Sequence, residues 1–291
     1  MMDESARGDL LRLSDADIDR LLDEDVRFGD LTTRALGIGD RPGRMSFSAR
    51  QDLVLCGVDE AARLLTRAGA SIRFQASTGT RAAKGTLLLD AEGPAAALHA
   101  GWKLAQTVME WASGVATLTH RIVTAARAGA PRVVVLCTRK PVPFTRQISL
   151  KAVIAGGGEI HRLGLSDTIM LFPEHRVFLD GTTTLAAAIG RFKERVPERS
   201  VMVEVNTEAE ALEAAEAMAD VIQLEKFEPA AVARVVKSVR KRADLRPIIA
   251  AAGGIAVDNA GSYARSGADA LVTSAPFYAW PADVQVLIAP L

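Results

Sequence analysis

The chain has 291 residues, of which 49% are apolar and 24% are charged, which is ordinary for a globular protein with a sizeable core. Its 35 basic residues are balanced by 35 acidic ones, and only 5% of the residues are aromatic. The basic excess and the base-stacking rings of nucleic-acid-binding proteins are therefore missing. We predict no nucleic-acid partner.

The cysteines and the first residues bear on the cellular compartment. Cys56 and Cys137 lie far apart in the sequence, which argues against a disulfide framework and favours a reducing environment. The segment Met1–Asp9 is polar and acidic, unlike a signal peptide. No run approaches the ~18 apolar residues of a membrane helix, so we predict a cytoplasmic protein that does not span a membrane.

The first third of the chain mixes helix and strand patterns, which predicts an N-terminal domain over residues 1–105. Ser14 and Asp17 form a variant capping box ahead of a first helix, and Gly29–Thr33 predicts a turn. Strands are expected at Met45–Ala49, Leu53–Cys56, Ile72–Gln75 and Thr86–Leu89, and a helix at Val58–Ala68.

Beyond this region, the alanine-rich stretch Ala96–Ala128 predicts one long helix, or two that separate at Gly114. From Arg132 onward, apolar strands alternate with helices, which predicts a parallel α/β sheet or barrel over residues 106–275. Strands are expected at Val133–Leu136, Thr168–Leu171, Val201–Val205, Val221–Leu224, Ile248–Ala251 and Ala270–Thr273, and helices at Glu208–Ala219, Pro229–Lys241 and Asp258–Ser266.

Basic residues follow the first of these strands, and the carboxyl ends of barrel strands are where active sites lie. Arg139 and Lys140 offer a guanidinium fork and a point charge that suit a carboxylate or phosphate, although an exposed basic turn explains the pair equally well. His161 and Arg162 follow three glycines at 156–158 whose amides could approach a ligand, although such a run is more commonly a flexible turn. Together the two pairs predict a local basic pocket.

Carboxylates and glycines follow later strands. Glu204 interrupts one apolar strand and Glu225 ends the next, so each requires a metal, a substrate hydroxyl or a structural ion pair. Gly253 and Gly254 follow another strand and Ser274 follows the last, and such paired loops form a common phosphate site of α/β barrels. A phosphorylated ligand with ribose-like hydroxyls, with Mg²⁺ at a diphosphate, fits this set.

Other common sites are not indicated. The sequence contains no Walker A loop, no dinucleotide-binding fingerprint and no zinc-spaced His/Cys cluster. Cys137 has no histidine partner visible in the sequence, so we interpret it as a small buried apolar residue.

Taken in order, these segments resemble the quinolinate phosphoribosyltransferase family (nicotinate-nucleotide pyrophosphorylase) over nearly the whole chain. The specific motifs are Thr138-Arg139-Lys140 and Gly156-Gly157-Gly158 with His161-Arg162-Leu163-Gly164-Leu165. The resemblance implies an α/β fold made of an incomplete, TIM-like barrel and an N-terminal α/β sandwich. The C-terminal tail, residues 276–291, would be part of the sandwich. It also implies a homodimer with shared active sites.

The resemblance further implies roles for the candidate residues. Arg139, His161 and Arg162 would bind the carboxylates of a pyridine, Lys140 would contact phosphoribosyl pyrophosphate, and Glu204 would face the ribose and Mg²⁺ together with Glu225. In the implied reaction a ring nitrogen displaces pyrophosphate from the ribose C1. Carboxylates near the sugar and cations near the leaving group would stabilise the charges that develop.

Several positions depart from the family pattern. Lys103 stands where the family has an arginine on the long helix, and Glu225 stands where it has an aspartate. Phe172 replaces a substrate-contacting lysine and is followed by Glu174 and His175. We assign Lys103, Phe172 and His175 to the acceptor site, and we expect Phe172 and Glu174 to disfavour a dicarboxylate. The start of the phosphate loop also lacks the serine hydroxyls of the family.

The segments Thr138–Phe144 and Leu171–His175 resemble the ModD branch of the family, which is associated with molybdenum transport. This predicts a pentosyltransferase that transfers phosphoribosyl from phosphoribosyl pyrophosphate to a carboxylated nitrogen heterocycle. Two alternatives stay open. One is an authentic quinolinate phosphoribosyltransferase of NAD biosynthesis, and the other is a non-catalytic protein that binds a small molecule or an oxyanion.

Overall fold

The computed structural model describes residues 11–242, 244 and 246–291, so the segment Met1–Asp9 discussed above lies outside the described residues. The chain divides into two compact units. The first contains the residues up to His120 together with Pro141–Gly157 and Pro276–Leu291, and the second contains Arg121–Lys140 and Gly158–Ala275. The first unit therefore keeps more of the long helix than a boundary near residue 105 would give it.

The elements are numbered in chain order within the described residues. The helices are α1 Asp15–Val26, α2 Leu31–Leu36, α3 Val58–Ala68, α4 Ala95–Gly129, α5 Arg146–Ala155, α6 Pro173–Arg176, α7 Leu185–Arg195, α8 Glu208–Glu216, α9 Pro229–Arg240 and α10 Ala260–Arg265. The strands are β1 Pro42–Ala49, β2 Leu53–Val54, β3 Ser71–Gln75, β4 Arg81–Ala82, β5 Leu87–Pro94, β6 Val134–Cys137, β7 Glu159–Ile160, β8 Ile169–Leu171, β9 Val201–Val205, β10 Val221–Glu225, β11 Ile248–Ala252, β12 Ala270–Thr273 and β13 Val284–Pro290.

Local hydrogen bonds explain where the first helices begin. The capping box is confirmed: the Ser14 hydroxyl accepts a hydrogen bond from the Asp17 N–H at 3.2 Å, and the Asp17 carboxylate accepts from the Ser14 N–H at 3.2 Å. The turn predicted at Gly29–Thr33 is wrong from Leu31 onward. Asp30 accepts hydrogen bonds from the N–H groups of Thr32 and Thr33 and so starts helix α2.

Helix α4 is continuous, so the alternative of two helices that separate at Gly114 is wrong. A Cβ built on Gly114 would lie 2.4 Å from the carbonyl oxygen of Trp280. The glycine therefore permits a close backbone approach and does not end the helix.

The first unit is built on an antiparallel sheet in the strand order β13-β1-β5-β3. The last strand pairs with β1 from Gly43↔Pro290 to Ala49↔Val284, so the C-terminal segment completes this sheet. Fully buried side chains such as Met45, Phe47 and Leu65 form its core. The strands β2 and β4 form a separate pair.

The second unit is a curled sheet of seven parallel strands in the order β7-β6-β12-β11-β10-β9-β8. Strands such as Val201–Val205 carry apolar residues that are buried, as expected when a parallel sheet is covered on both faces. No pairing joins the outer strands β7 and β8, whose residues are all described. The predicted α/β class with an incomplete barrel is confirmed.

Within the described part of the chain, no helix is long and apolar enough to cross a membrane. Both cysteines are buried and free, and burial raises the pKa of each thiol to about 12. Cys137 therefore stays protonated near neutral pH, which agrees with its interpretation as a small apolar residue.

A buried ion cluster ties helix α5 to helix α3 inside the first unit. The Lys151 Nζ atom lies 2.7 Å from Asp59 Oδ2 and 2.8 Å from Glu60 Oε1. Burial acts to lower the pKa of Lys151, but the two carboxylates outweigh it and hold the pKa above its usual value. Lys151 is 5% exposed and Glu60 is 0% exposed, so neither charge has water as an alternative partner.

We expect Lys151→Met to lower the free energy of unfolding by about 3–5 kcal/mol, because the substitution leaves the Glu60 carboxylate buried and unpaired. Urea unfolding followed by circular dichroism measures the change. Arg73→Met is the control, since it removes the more exposed pair with Glu92 and should cost less than about 1 kcal/mol. Equal losses in the two variants would contradict the assignment of a buried, uncompensated carboxylate.

Candidate active site

A cavity of about 910 Å³ lies at the carboxyl ends of the parallel strands, entirely within the second unit. It is large enough for a ligand of drug-like size. The residues that line it lie on or directly after strands β6, β7, β8, β9, β10, β11 and β12. Parallel pairing places these strand ends at one edge of the sheet, as the barrel prediction required.

One part of the cavity is a group of cationic side chains whose buried nitrogens lack partners. Arg162 is 5% exposed. Its Nε atom and the Nε atom of Arg139 are buried, and neither has a hydrogen-bond partner among the described residues. His161 lines the same part of the cavity. Buried donors without partners are costly, so this arrangement suits an anionic ligand.

The mutual effect of these groups appears in their pKa values. Burial lowers the pKa of His161, a hydrogen bond with the Gln223 side chain acts to raise it, and the charges of the neighbouring Arg162 and Arg139 act to lower it further. His161 is therefore neutral near pH 7. Burial and the charge of Arg139 also lower the pKa of Arg162, so the two guanidinium groups would both be stabilised by a bound anion.

Carboxylates form a second group in the cavity. Burial raises the pKa of Glu204, and the charges of Glu225 and Glu174 raise it further, whereas a hydrogen bond from Gln223 and the charge of Lys140 act to lower it. The Gln223 Nε2 atom donates to Glu204 Oε2 at 2.7 Å. Repulsion between carboxylates makes this group a suitable place for a cation or for developing positive charge.

Two loops at the ends of β11 and β12 form the third part. Gly253 and Gly254 have φ of +93° and +72°, a conformation that favours glycine. The Thr273 hydroxyl donates to the Ile255 carbonyl at 2.7 Å and so joins the two loops. Ser274 also lines the cavity.

Phe172 and His175 line the remaining side and contact each other. Their ring centroids lie 5.6 Å apart with an interplanar angle of 29°. The Phe172 backbone N–H donates to His175 Nδ1 at 3.0 Å, which fixes the orientation of the imidazole. An aromatic ring thus faces the cavity where the family pattern has a lysine.

Two sequence-based interpretations need correction or stay open. The glycines at 156–158 do not line the cavity: a Cβ on Gly156 would lie 2.4 Å from the Ala116 carbonyl oxygen, so Gly156 serves packing against α4.

Lys103 belongs to the first unit, where its Nζ atom lies 4.3 Å from the centroid of the Trp102 ring. Its assignment to the acceptor site stays a prediction.

Sequence reasoning missed two polar residues that line the cavity, Gln223 and Lys226. A signal for Gln223 was present, since it lies two residues before Glu225 on the same strand and therefore on the same face. Lys226 directly follows strand β10, and Lys140 lies three residues after the end of strand β6. The φ of Lys226 is +59°, and its backbone N–H donates to the Ala252 carbonyl at 2.8 Å.

The donor set for a metal is small. Among the described residues, no three His, Cys, Asp or Glu side chains form a group that could hold a metal ion. Glu204 and Glu225 remain as two interacting carboxylates. They fit Mg²⁺, which commonly takes one or two protein carboxylates and completes its shell with water and substrate phosphate.

Comparison with known proteins gives a consistent result. The model of the quinolinate phosphoribosyl transferase N-terminal domain matches residues 30–113, and that of the C-terminal domain matches residues 115–286. A protein of Rhodobacter capsulatus that carries the name pyrophosphorylase ModD is 48% identical over 255 residues, which is 88% of this chain and 97% of that protein.

Two further proteins extend the comparison. A ModD protein of Escherichia coli O157:H7 is 40% identical over 284 residues, 97% of this chain and 99% of its own length. The solved structure of NadC from Streptococcus pyogenes has a TM-score of 0.87 at 26% identity, covering 96% of this chain and 99% of that one. The chain therefore belongs to the quinolinate phosphoribosyl transferase family, and it is an enzyme of the phosphoribosyltransferase type.

Proposed function

We propose that the protein transfers the phosphoribosyl group of phosphoribosyl pyrophosphate to a ring nitrogen of a carboxylated nitrogen heterocycle and releases pyrophosphate. The observation that carries the proposal is the division of one cavity into two parts. One part holds guanidinium groups whose buried Nε atoms have no partner among the described residues, and the other holds mutually repelling carboxylates. The reaction needs both, because a ring nitrogen attacks C1 of the ribose while the bond to pyrophosphate breaks.

The cationic group supports an anionic acceptor. Arg139 and Arg162 would hold a carboxylate of the heterocycle, since a guanidinium forms paired hydrogen bonds with a carboxylate. Neutral His161 would add one hydrogen bond without another charge. Phe172 adds an apolar ring in place of a further cation, which favours an acceptor with fewer carboxylates than quinolinate.

The carboxylate group supports stabilisation of the sugar. Positive charge develops at C1 and on the ring oxygen as pyrophosphate leaves, and Glu204 would stabilise it together with Glu225. Lys140 would neutralise the leaving group, and the loops with Gly253, Gly254 and Ser274 would bind a phosphate through backbone N–H groups and a hydroxyl. Mg²⁺ bound with the diphosphate would supply further charge neutralisation near Glu204 and Glu225.

The proposal includes two finer points. A homodimer with shared sites follows from the family resemblance, and sedimentation of the purified protein measures it. An association with molybdenum use follows from the ModD resemblance. Comparing molybdate binding with binding of phosphoribosyl pyrophosphate by calorimetry separates an oxyanion-binding protein from a transferase.

We expect pyrophosphate release from phosphoribosyl pyrophosphate and Mg²⁺ to depend on an added pyridine carboxylate, and we expect nicotinate to be used better than quinolinate. Glu204→Gln should lower the rate by about 100-fold or more, because a preorganised charge at the transition state is lost. A coupled pyrophosphate assay measures the rates. Glu216→Gln, at an exposed pair with Arg242, is the control and should leave the rate unchanged.

Other outcomes of this assay are informative. Efficient use of quinolinate would show that the alternative reading of an authentic quinolinate phosphoribosyltransferase is correct. Tight molybdate binding, with neither release of pyrophosphate nor binding of phosphoribosyl pyrophosphate, would overturn the proposed function.

We expect kcat/KM to fall on the acid side at a pH above the ordinary titration range of a glutamate. The pKa of Glu204 is raised, and protonation of Glu204 as the pH falls through that value removes the charge that the transition state needs. Glu225→Gln should move this acid limb to lower pH because it removes a charge that raises the pKa of Glu204. Glu174→Gln should move it less in the same direction.

The pH profile of pyrophosphate release, recorded for the wild type and both variants, tests this order. An acid limb that stays in place, or that moves to higher pH in Glu225→Gln, would contradict the assignment of Glu204 as the titrating group.

A further inference from the structure

Lys226 lines the cavity, but none of the steps proposed above uses it. The residue directly follows strand β10 and is exposed. Its ammonium group forms no ion pair with a carboxylate of the described residues. The charge of Lys226 is therefore available to a ligand that enters the cavity.

The backbone of Lys226 has a conformation that residues with a side chain rarely adopt. Its φ is +59°, in the left-handed region that favours glycine. The Lys226 N–H donates to the Ala252 carbonyl at 2.8 Å, which holds the residue against the end of strand β11. A cationic residue kept in this unfavourable geometry beside a cavity points to use by a ligand.

The side chain of Lys226 lies against the first glycine of the loop after β11. A Cβ built on Gly253 would be 2.7 Å from Lys226 Cγ and 2.9 Å from the Lys226 backbone nitrogen. The absence of a side chain at Gly253 thus leaves the space that the lysine stem occupies. Any larger residue at this position would displace Lys226 from the loop.

The two loops proposed to bind a phosphate carry no charge of their own. The cavity is lined there by residues 253–256 after β11 and by residues 274 and 275 after β12, none of which is charged. Backbone N–H groups and one hydroxyl can hold a phosphate, but a phosphate ester carries a charge of about −1.5 to −2 near pH 7. Lys226, in contact with Gly253, supplies a cation at this place.

Lys140 and Lys226 act on different parts of the cavity. The charge of Lys140 is among the groups with the largest effect on the pKa of Glu204, whereas Lys226 is not among them. Glu204 is the residue proposed to face C1 of the ribose, where pyrophosphate leaves. The 5′-phosphate is attached at the other end of the sugar, so a cation that lies on the glycine loop suits this phosphate better than the leaving group.

We propose that Lys226 binds the 5′-phosphate of phosphoribosyl pyrophosphate, together with backbone N–H groups of Gly253 and Gly254. The 5′-phosphate takes no part in bond breaking, so Lys226 binds the substrate and the transition state about equally. It therefore acts on the affinity for the donor and not on the chemical step. This inference rests on the proposed phosphoribosyl transfer and adds a binding residue for its donor.

Four variants of the full chain test the assignment. Lys226→Met keeps most of the stem and removes the charge, and Lys226→Asn removes the charge with a residue that tolerates the left-handed region. Lys226→Arg keeps the charge. Lys237→Met, at an exposed position of helix α9 that does not line the cavity, is the matched control. Circular dichroism checks folding, and Lys226→Asn keeps the test valid if Lys226→Met does not fold.

Calorimetry with ribose 5-phosphate and, separately, with pyrophosphate and Mg²⁺ distinguishes the two phosphate groups of the donor. We expect Lys226→Met and Lys226→Asn to weaken binding of ribose 5-phosphate by about tenfold or more and binding of pyrophosphate by less than about twofold, because one charge-assisted contact is lost. Lys226→Arg should keep most of the affinity, and Lys237→Met should match the wild type.

Two results of the calorimetry would overturn the proposal. One is a loss of affinity for pyrophosphate in place of ribose 5-phosphate, which would assign Lys226 to the leaving group. The other is equal affinity of the wild type and the uncharged Lys226 variants for ribose 5-phosphate, including a failure of all of them to bind it.

Steady-state rates of pyrophosphate release, with nicotinate as the acceptor, give KM for phosphoribosyl pyrophosphate and kcat. In the two uncharged variants we expect the loss to appear as a KM raised by about tenfold or more, with a much smaller change in kcat. A fall in kcat at an unchanged KM would contradict a role in binding alone and overturn the proposal.

The two readouts separate failure of this inference from failure of the proposed function. Pyrophosphate release with a KM that the Lys226 variants leave unchanged would keep the transferase and remove the role of Lys226. Binding of ribose 5-phosphate that depends on Lys226, without release of pyrophosphate with any acceptor, would support the phosphate site and remove the transferase.

Discussion

Parallel pairing with a fixed register brings chemistry from distant parts of the chain to one edge of one sheet. Gln223 lies opposite Glu204, and Glu225 lies opposite Ala252 at the start of the glycine loop. Side chains alternate between the faces of a strand, so a slip of one residue would turn Gln223 and Glu225 away from the cavity together. The site therefore depends on the register of β9, β10 and β11 more than on any single contact.

The electrostatics of the cavity are unfavourable without a ligand, and this is the clearest sign of its use. A chain with balanced charge places around one space two arginines, whose buried Nε atoms have no partner among the described residues, and repelling carboxylates. In the first unit the same kinds of charge are paired, as Lys151 is with Asp59 and Glu60. The contrast separates charges that hold the fold from charges that await a ligand.

The sequence was sufficient to locate those cavity residues whose position follows from the order of the strands. Arg139, Glu204, Glu225 and Gly253 were found because they follow, interrupt or end apolar strands, and all four line the cavity. Spacing does not show what a residue faces, so the sequence left open whether the glycines at 156–158 approach a ligand or form a flexible turn, whereas Gly156 packs against helix α4. Gln223 was missed because one polar residue hardly changes an apolar strand pattern, and the short elements β7 and α6 were missed because few residues define them.

The close packing of Gly156 has a consequence for tracing how such proteins diverge. No side chain fits between this residue and the Ala116 carbonyl, so selection for folding alone retains the glycine after catalysis has been lost. Arg139, whose buried Nε atom has no partner in the described part of the chain, is under no such constraint. In lineages that lose activity, Gly156 should therefore persist while the residue at position 139 is free to change.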